Sequence, residues 1–266
     1  MALPLRDDER SRRVPWLTMA LIAINVVVFL FIQPSGFQWG APEGSAGQSQ
    51  YWRAQERDEF TNRWGAIPCE LRSGKALIDS PPGCKGDRTQ YPPAGKSVAL
   101  ALLTCMFLHG SIDHLAGNML FLWVFGSAVE DRLGRSNFLG LYLLGGIIAT
   151  LGYVATNPHS AGPLIGASGA IAVVMGAYLV LAPRARILTV IATAAFQVVY
   201  VPAAVVLLLF FVTQFFTADE NVAWEAHAAG MVVGAIAGLV LMRIPAIKKR
   251  SVDDAADARL RAGAEF

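Results

Sequence analysis

The sequence predicts an all-α integral membrane protein: six transmembrane helices with a long extracytoplasmic first loop. Three observations carry this. Hydrophobic residues make up 54% of the 266-residue chain, charged residues only 16%, and the mean hydropathy is +0.45. An ordinary soluble domain is about one quarter charged. Six apolar stretches, at roughly 16–33, 114–130, 138–156, 166–182, 189–216 and 222–243, cross or nearly cross a hydrocarbon core of about 30 Å. Finally, the basic residues alternate between connections. Arg6, Arg10, Arg12 and Arg13 precede the first stretch, Arg132 and Arg135 follow the second, Arg184 and Arg186 the fourth, and Arg243, Lys248, Lys249 and Arg250 the sixth. The connections 157–165 and 217–221 contain neither Lys nor Arg. Both termini are therefore expected in the cytoplasm.

The chain divides into a cytoplasmic segment 1–15, a membrane domain 16–243 that includes the outer loop 34–113, and a basic then mixed-charge cytoplasmic tail 244–266. The first stretch is too long for a signal peptide and lacks a small-x-small cleavage site after Phe31, so it reads as an anchor. The outer loop begins rich in Gly, Pro, Ser and Gln and holds Cys69 and Cys84. An oxidising compartment allows a disulfide between them, although spacing alone supplies no geometry. Cys105 reads as a small packing residue. Val98–Leu108 is too short to span and is expected to lie in, or dip into, the outer interface.

The second and third stretches read as ordinary spans. The fourth, from Gly166 to Pro183, allows about 17 helical residues, roughly 25 Å, which is short of the bilayer core. With its cytoplasmic end at Arg184 and Arg186, the preceding loop must descend into the membrane. Irregular backbone is tolerated there only against protein or a water-filled cavity. The fifth stretch, 189–216, ends in Phe210, Phe211, Phe215 and Phe216; with Val98–Leu108 these are candidate surfaces for lateral entry. The sixth, 222–243, closes the bundle. No internal repeat, phosphate-binding loop or nucleic-acid surface is present, and no cofactor, metal or nucleic-acid partner is expected; the bilayer is the expected surround.

Polar residues inside these spans carry the chemistry, because intramembrane ionisable groups are costly. Ser168 sits in Gly166-Ala167-Ser168-Gly169 at the start of the fourth stretch, where serine also serves as a helix cap. His227 lies in the sixth. Both stretches run inward from the outside, so the two residues occupy similar depth, where an imidazole can activate a serine hydroxyl. Gly169 and Gly176, with Gly230, Gly234 and Gly238, offer small surfaces for close helix approach. Glu225 projects to another side of its helix, so the expected unit is a dyad. His114 and Asn118, at i and i+4 on the second stretch, share a face. Together with the Ser168 main-chain N–H they are candidate oxyanion donors. The alternative for Asn118 is interhelical hydrogen bonding. His109 is expected to support the nearby loop, zinc binding by His109 and His114 is a weak alternative, and His159 reads as a solvated loop residue.

The runs MFLHGSIDHLAGNMLFLWVFG (106–126), GSAVEDRLG (126–134), GASGAIAVVMGAY (166–178) and AHAAGMVVG (226–234) resemble the rhomboid intramembrane serine proteases over approximately residues 16–243. The resemblance implies a six-helix rhomboid-like bundle. It implies Ser168 as nucleophile, His227 as general base and acid, His114 and Asn118 as oxyanion donors, and transmembrane proteins as substrates, cleaved after a small residue. Many members carry a Trp-Arg pair just before the FLH stretch; here Lys96-Ser97 stands near that position, and Trp52-Arg53 lies far upstream. Some members place an aromatic four residues after the serine, under the imidazole. This chain has Ala172, so His227 must be positioned by other packing. A rhomboid-like pseudoprotease that binds transmembrane clients is the alternative, and intact Ser168 and His227 argue against it. A transporter or channel would show polar residues deeper along the spans, or two similar halves.

Overall fold

The computed structural model describes residues 2–7, 13–34, 46–79, 84, 95–192, 196–216 and 223–248. Helix α1 (Trp16–Val27) runs on through a π turn, Val28–Ile32. Between α1 and α5 come α2 (Ala46–Trp64), α3 (Pro68–Ser73) and α4 (Val98–Thr104). Helix α5 (Ile112–Phe121), a π turn (Leu122–Gly126) and α6 (Ser127–Leu133) form one rod. Then follow α7 (Arg135–Thr156), α8 (Ser168–Leu181), α9 (Ala203–Phe216) and α10 (Trp224–Leu241).

Three helical segments, Ile112–Leu133, Arg135–Thr156 and Trp224–Leu241, are long and apolar enough to cross a membrane. Trp16–Ile32, Val98–Phe107, Ser168–Leu181 and Ala203–Thr213 are shorter apolar helices. Helix α8 is buried on every side from Ala170 to Tyr178, whereas α7 and α10 turn Leu144, Ile148, Val232, Ile236 and Leu239 outward. A buried central helix ringed by apolar outer faces is the arrangement expected when lipid replaces water outside the bundle.

The small residues explain how α8 becomes central. A Cβ on Gly176 would collide with the Met231 carbonyl, and one on Gly234 with the Val173 carbonyl, so α8 and α10 meet backbone to backbone. Gly169 behaves differently from its expected role: its side-chain direction faces Ala149 of α7, and only its carbonyl backs Gly230 of α10. At the other end of the bundle, the buried Glu130 carboxylate accepts the first-turn amides of α1, Leu17 N at 3.1 Å and Thr18 N at 2.8 Å. An anion suits that helix end.

The all-α expectation is corrected. A three-stranded antiparallel sheet, β1 (Ala2–Asp7), β2 (Arg186–Ala192) and β3 (Phe196–Pro202), lies between α8 and α9 and recruits the N-terminal segment. Its register pairs Leu3 with Val190, and Leu188 with Tyr200. The fifth span therefore does not begin at 189; helix starts only at Ala203, after Pro202. The physical reason is residue type. Ile187, Thr189, Val190, Ile191, Val198, Val199, Tyr200 and Val201 are β-branched or aromatic, which favours strand, and apolarity alone cannot separate strand from helix.

The segment between α1 and α5 is not a simple loop either. Ala66 and Leu164 form an isolated antiparallel bridge, donating to each other's carbonyls at 3.0 and 2.7 Å, and Cys69 N donates to Ser160 O at 3.0 Å. The segment after α2 thus lies along the loop leading to Ser168. Cys69 and Cys84 form a disulfide with Cα atoms 5.4 Å apart, while Cys105 is a buried free thiol. Lys96, whose side chain is fully buried, donates to Asn62 O at 2.6 Å and Gly65 O at 2.9 Å and pairs with Glu70 at 2.5 Å. Burial lowers the Lys96 pKa from the usual lysine range, opposed by Glu70 beside it. This lysine anchors the loop; the Trp52 and Arg53 side chains lie outside the described residues.

Candidate active site

Ser168 opens α8 and makes no capping bond there. Its hydroxyl is engaged elsewhere: Ser168 Oγ lies 2.6 Å from His227 Nε2 of α10, across 59 residues of sequence. The glycine contacts between α8 and α10 permit this approach. The first main-chain N–H groups of α8 have no intrahelical acceptor and point toward the reacting end, where the helix dipole is positive. Ser168 is half-buried and His227 is 8% exposed, so a charge formed here is poorly screened.

The turn before Ser168 depends on Gly166, at φ +125°, a conformation that side chains rarely adopt. A Cβ at Gly166 would stand 2.9 Å from His114 Nε2 and 3.6 Å from Ser168 Oγ. The space above this glycine is therefore flanked by both the hydroxyl and the His114 ring. Gly166 N donates to Cys105 O at 2.9 Å, tying the turn to the segment after α4.

Helix α5 brings in the other polar groups. Ser111 caps it by accepting from His114 N at 3.1 Å. Asn118, 8% exposed, has an Nδ2 with no hydrogen-bond partner among the described residues. A buried amide donor normally finds an acceptor. This leaves the Nδ2 donor open to a transient acceptor. Among the described residues no three His, Cys, Asp or Glu side chains gather as a metal site. His109 is fully buried and stands edge-on to His114, ring centroids 5.1 Å apart. Its backbone is clamped by Gln33, whose Nε2 donates to His109 O at 2.6 Å while Oε1 accepts from His109 N at 3.1 Å. Burial, with His114 beside it, pushes the His109 pKa down to about 3.

The remaining polar residues stand apart from the pair. Glu225 accepts from Asn157 Nδ2 at 3.2 Å, and His159 is exposed in the loop between α7 and α8. The side chains of Phe215 and Phe216 lie outside the described residues. Phe210 reaches the His227 ring, with centroids 6.4 Å apart, a contact that no motif in the sequence announces. Its only sequence signal is the inward stripe Ala203, Val206, Leu207, Phe210 on α9.

The family model for the Rhomboid domain matches residues 96–244, more than half of the chain, from Lys96 through α10. Presenilin-associated rhomboid-like protein A, mitochondrial, of Danio rerio is 41% identical over 97 residues, 36% of this chain and 25% of that protein. Rhomboid protease GluP of Bacillus subtilis is 35% identical over 153 residues, 56% of this chain and 28% of its own length. Rhomboid protein 1, mitochondrial, of Saccharomyces cerevisiae is 38% identical over 94 residues, 34% and 27% respectively. The chain thus aligns with about a quarter of the length of these curated relatives.

Proposed function

Because the chain belongs to the rhomboid family and is an integral membrane protein, we propose that it is an intramembrane serine endopeptidase that hydrolyses peptide bonds in or near transmembrane segments of other proteins. The observation that carries this reading is the 2.6 Å approach of His227 Nε2 to Ser168 Oγ. Six spans, with both termini in the cytoplasm and domain limits at 16 and 243, complete it: the three long helices are joined by Trp16–Ile32, Ser168–Leu181 and Ala203–Thr213, with bilayer thinning or tilt taking up their short lengths. The longest stretch matched among the relatives described above belongs to a Bacillus protein, which supports a prokaryotic plasma membrane; the mitochondrial names of the other two make a mitochondrial membrane the competing location.

The mechanism follows from the atoms present. His227 Nε2 accepts the Ser168 hydroxyl proton as Oγ attacks the scissile carbonyl. Negative charge develops on the carbonyl oxygen above Gly166, where Asn118 Nδ2, the His114 ring and the Ser168 main-chain N–H are the donors. The imidazolium returns its proton to the leaving amine, giving an acyl-enzyme on Ser168. Water entering from the outer side, deprotonated by the same imidazole, releases the acid product.

Protein purified in detergent and returned to liposomes should cleave a generic transmembrane reporter, and Ser168→Ala should stop it. Binding of the reporter without cleavage by the wild type would overturn the protease reading in favour of a client-binding role.

A further inference from the structure

The loop joining α7 to α8 delivers Ser168 at its end, and its main chain is held by segments far away in sequence. Leu164 and Ala66 exchange hydrogen bonds, Ser160 O accepts from Cys69 N at 3.0 Å, and Gly166 N donates to Cys105 O at 2.9 Å. Buried irregular backbone needs partners of this kind. The side of the loop is packed as closely. A Cβ at Gly65 would stand 3.0 Å from the Pro163 Cβ and 3.1 Å from Ile165 Cγ2. Residues 65–69 therefore form one wall of the path that leads to Ser168.

Local sequence explains why Cys69 takes part. Pro68 opens α3 and has no N–H, so Cys69 N is the first amide of that helix and lacks an intrahelical acceptor; it goes to Ser160. The Cys69 side chain goes to Cys84, fifteen residues on. Ile67, Cys69, Cys84 and Ala161 are all buried and make a small apolar core separate from the main one, with Leu77 packed against it. Ala161 belongs to the loop, so the disulfide lies in the cluster that seats the loop, and two of its four buried members are the bonded cysteines. Helix α3 has six residues, too few to hold itself together. A unit with so little core depends on a covalent link. Lys96 does not replace that link: its described partners are Asn62, Gly65 and Glu70, whereas the tie to Ser160 and Ala161 runs through Cys69.

We propose that Cys69–Cys84 is a redox-controlled brace for the catalytic loop: the oxidised pair holds residues 160–166 on the course that presents Ser168 to His227, and reduction by a dithiol releases them. The effect on turnover rests on the protease reading; the packing does not. A thiolate of the dithiol attacks the sulfur of Cys84, which is 8% exposed against 1% for Cys69. A mixed disulfide forms, and the Cys69 thiolate leaves and takes up a proton. The second thiol of the reductant loses its proton and attacks the mixed disulfide, and the Cys84 thiolate leaves and is protonated. Two electrons and two protons have then passed to the cysteines, and the reductant departs as a disulfide. The reverse exchange, with a disulfide oxidant, resets the brace. A chain whose cysteines are still thiols carries a loosened Ser168 turn, and activity appears with oxidation.

The test uses the full chain in nanodiscs, oxidised, reduced with dithiothreitol, and reoxidised with oxidised glutathione. Alkylation and mass spectrometry read the state of Cys69 and Cys84. Three quantities follow: amide hydrogen exchange, the second-order rate at which a small water-soluble fluorophosphonate labels Ser168, and kcat and KM on a cysteine-free transmembrane reporter. On reduction, exchange at Cys69 and Leu164 should quicken while amides within α8 and α10 stay protected. The labelling rate and kcat/KM should fall together by roughly tenfold, less than the loss that a 1 Å misplacement of reacting groups can bring. Reoxidation should restore all three, and Cys69→Ala/Cys84→Ala should sit at the reduced values and ignore dithiothreitol. Unchanged exchange and labelling in protein alkylated at both cysteines would overturn the proposal. So would a pair that dithiothreitol cannot reduce in the folded protein, or protection lost throughout α8 and α10, since the disulfide would then hold the whole fold. If the double variant does not fold, the reduced wild type decides by the same criteria. Should the wild type neither cleave nor label, the protease reading falls, and exchange at Cys69 and Leu164 still decides the brace.

Discussion

Lys96→Met isolates the clamp that holds the outer region over the catalytic turn. The substitution keeps most of the aliphatic stem and removes an ammonium whose three protons are matched to Asn62 O, Gly65 O and Glu70, all in a buried setting. Afterwards Glu70 keeps, among the described residues, only the Leu77 amide, on Oε1 at 2.7 Å, and a buried carboxylate is stranded. Removing one partner of a buried ion pair costs about 3–5 kcal/mol, most of it from the uncompensated charge. For a chain of this size that corresponds to a fall in melting temperature on the order of 10 °C if the unit melts cooperatively. Glu70→Gln added to Lys96→Met neutralises the stranded group, so the double variant should recover a large part of the loss. Thermal unfolding in detergent and amide hydrogen exchange measure this, with protection at Ala66, Cys69 and Leu164 expected to fail first. A Lys96→Met protein with wild-type protection at those amides, and stability within about 1 kcal/mol of wild type, would refute the clamp.

Three further outcomes follow from the same geometry. Asn118→Ala should lower turnover about a hundredfold, near 3 kcal/mol, with little change in melting temperature, since its Nδ2 holds no protein partner; a large stability loss with full specific activity would mean a structural role. His109, near 6.5 when unfolded and about 3 when folded, stays neutral in the fold. The stability it allows is complete above pH 6.5 and is lost as pH falls toward 3, by up to about 1.4 kcal/mol per unit, a slope that His109→Phe should flatten in acid titrations of unfolding. Gly234→Ala places a methyl against the Val173 carbonyl and should destabilise by about 2–3 kcal/mol, measured by unfolding, because α8 and α10 must separate.

How much of this was legible in the sequence depends on the range of each interaction. Ser168 and His227 were readable because both helices run in the same direction, and each residue lies near the start of its helix. The glycines at 176 and 234 were readable because backbone contact in a bilayer demands small residues. The run 186–202 misled because apolar strand and apolar helix look alike, and because its partner Ala2–Asp7 lies about 180 residues upstream. Lys96 gave no signal, since two of its three acceptors are main-chain carbonyls, which every residue carries. Phe210 was visible only as one of several aromatics; its contact with His227 depends on how α9 docks.

The central claim is that His227 activates Ser168. Purified protein in lipid, treated with a fluorophosphonate and mapped by mass spectrometry, measures this directly. Ser168 should carry the label in the wild type, and labelling should vanish in His227→Ala although the hydroxyl remains. The Ser168→Ala/His227→Ala double variant should cleave a transmembrane reporter no more slowly than either single variant, because the pair acts as a unit. Labelling of Ser168 at the wild-type rate in a folded His227→Ala protein would contradict the account.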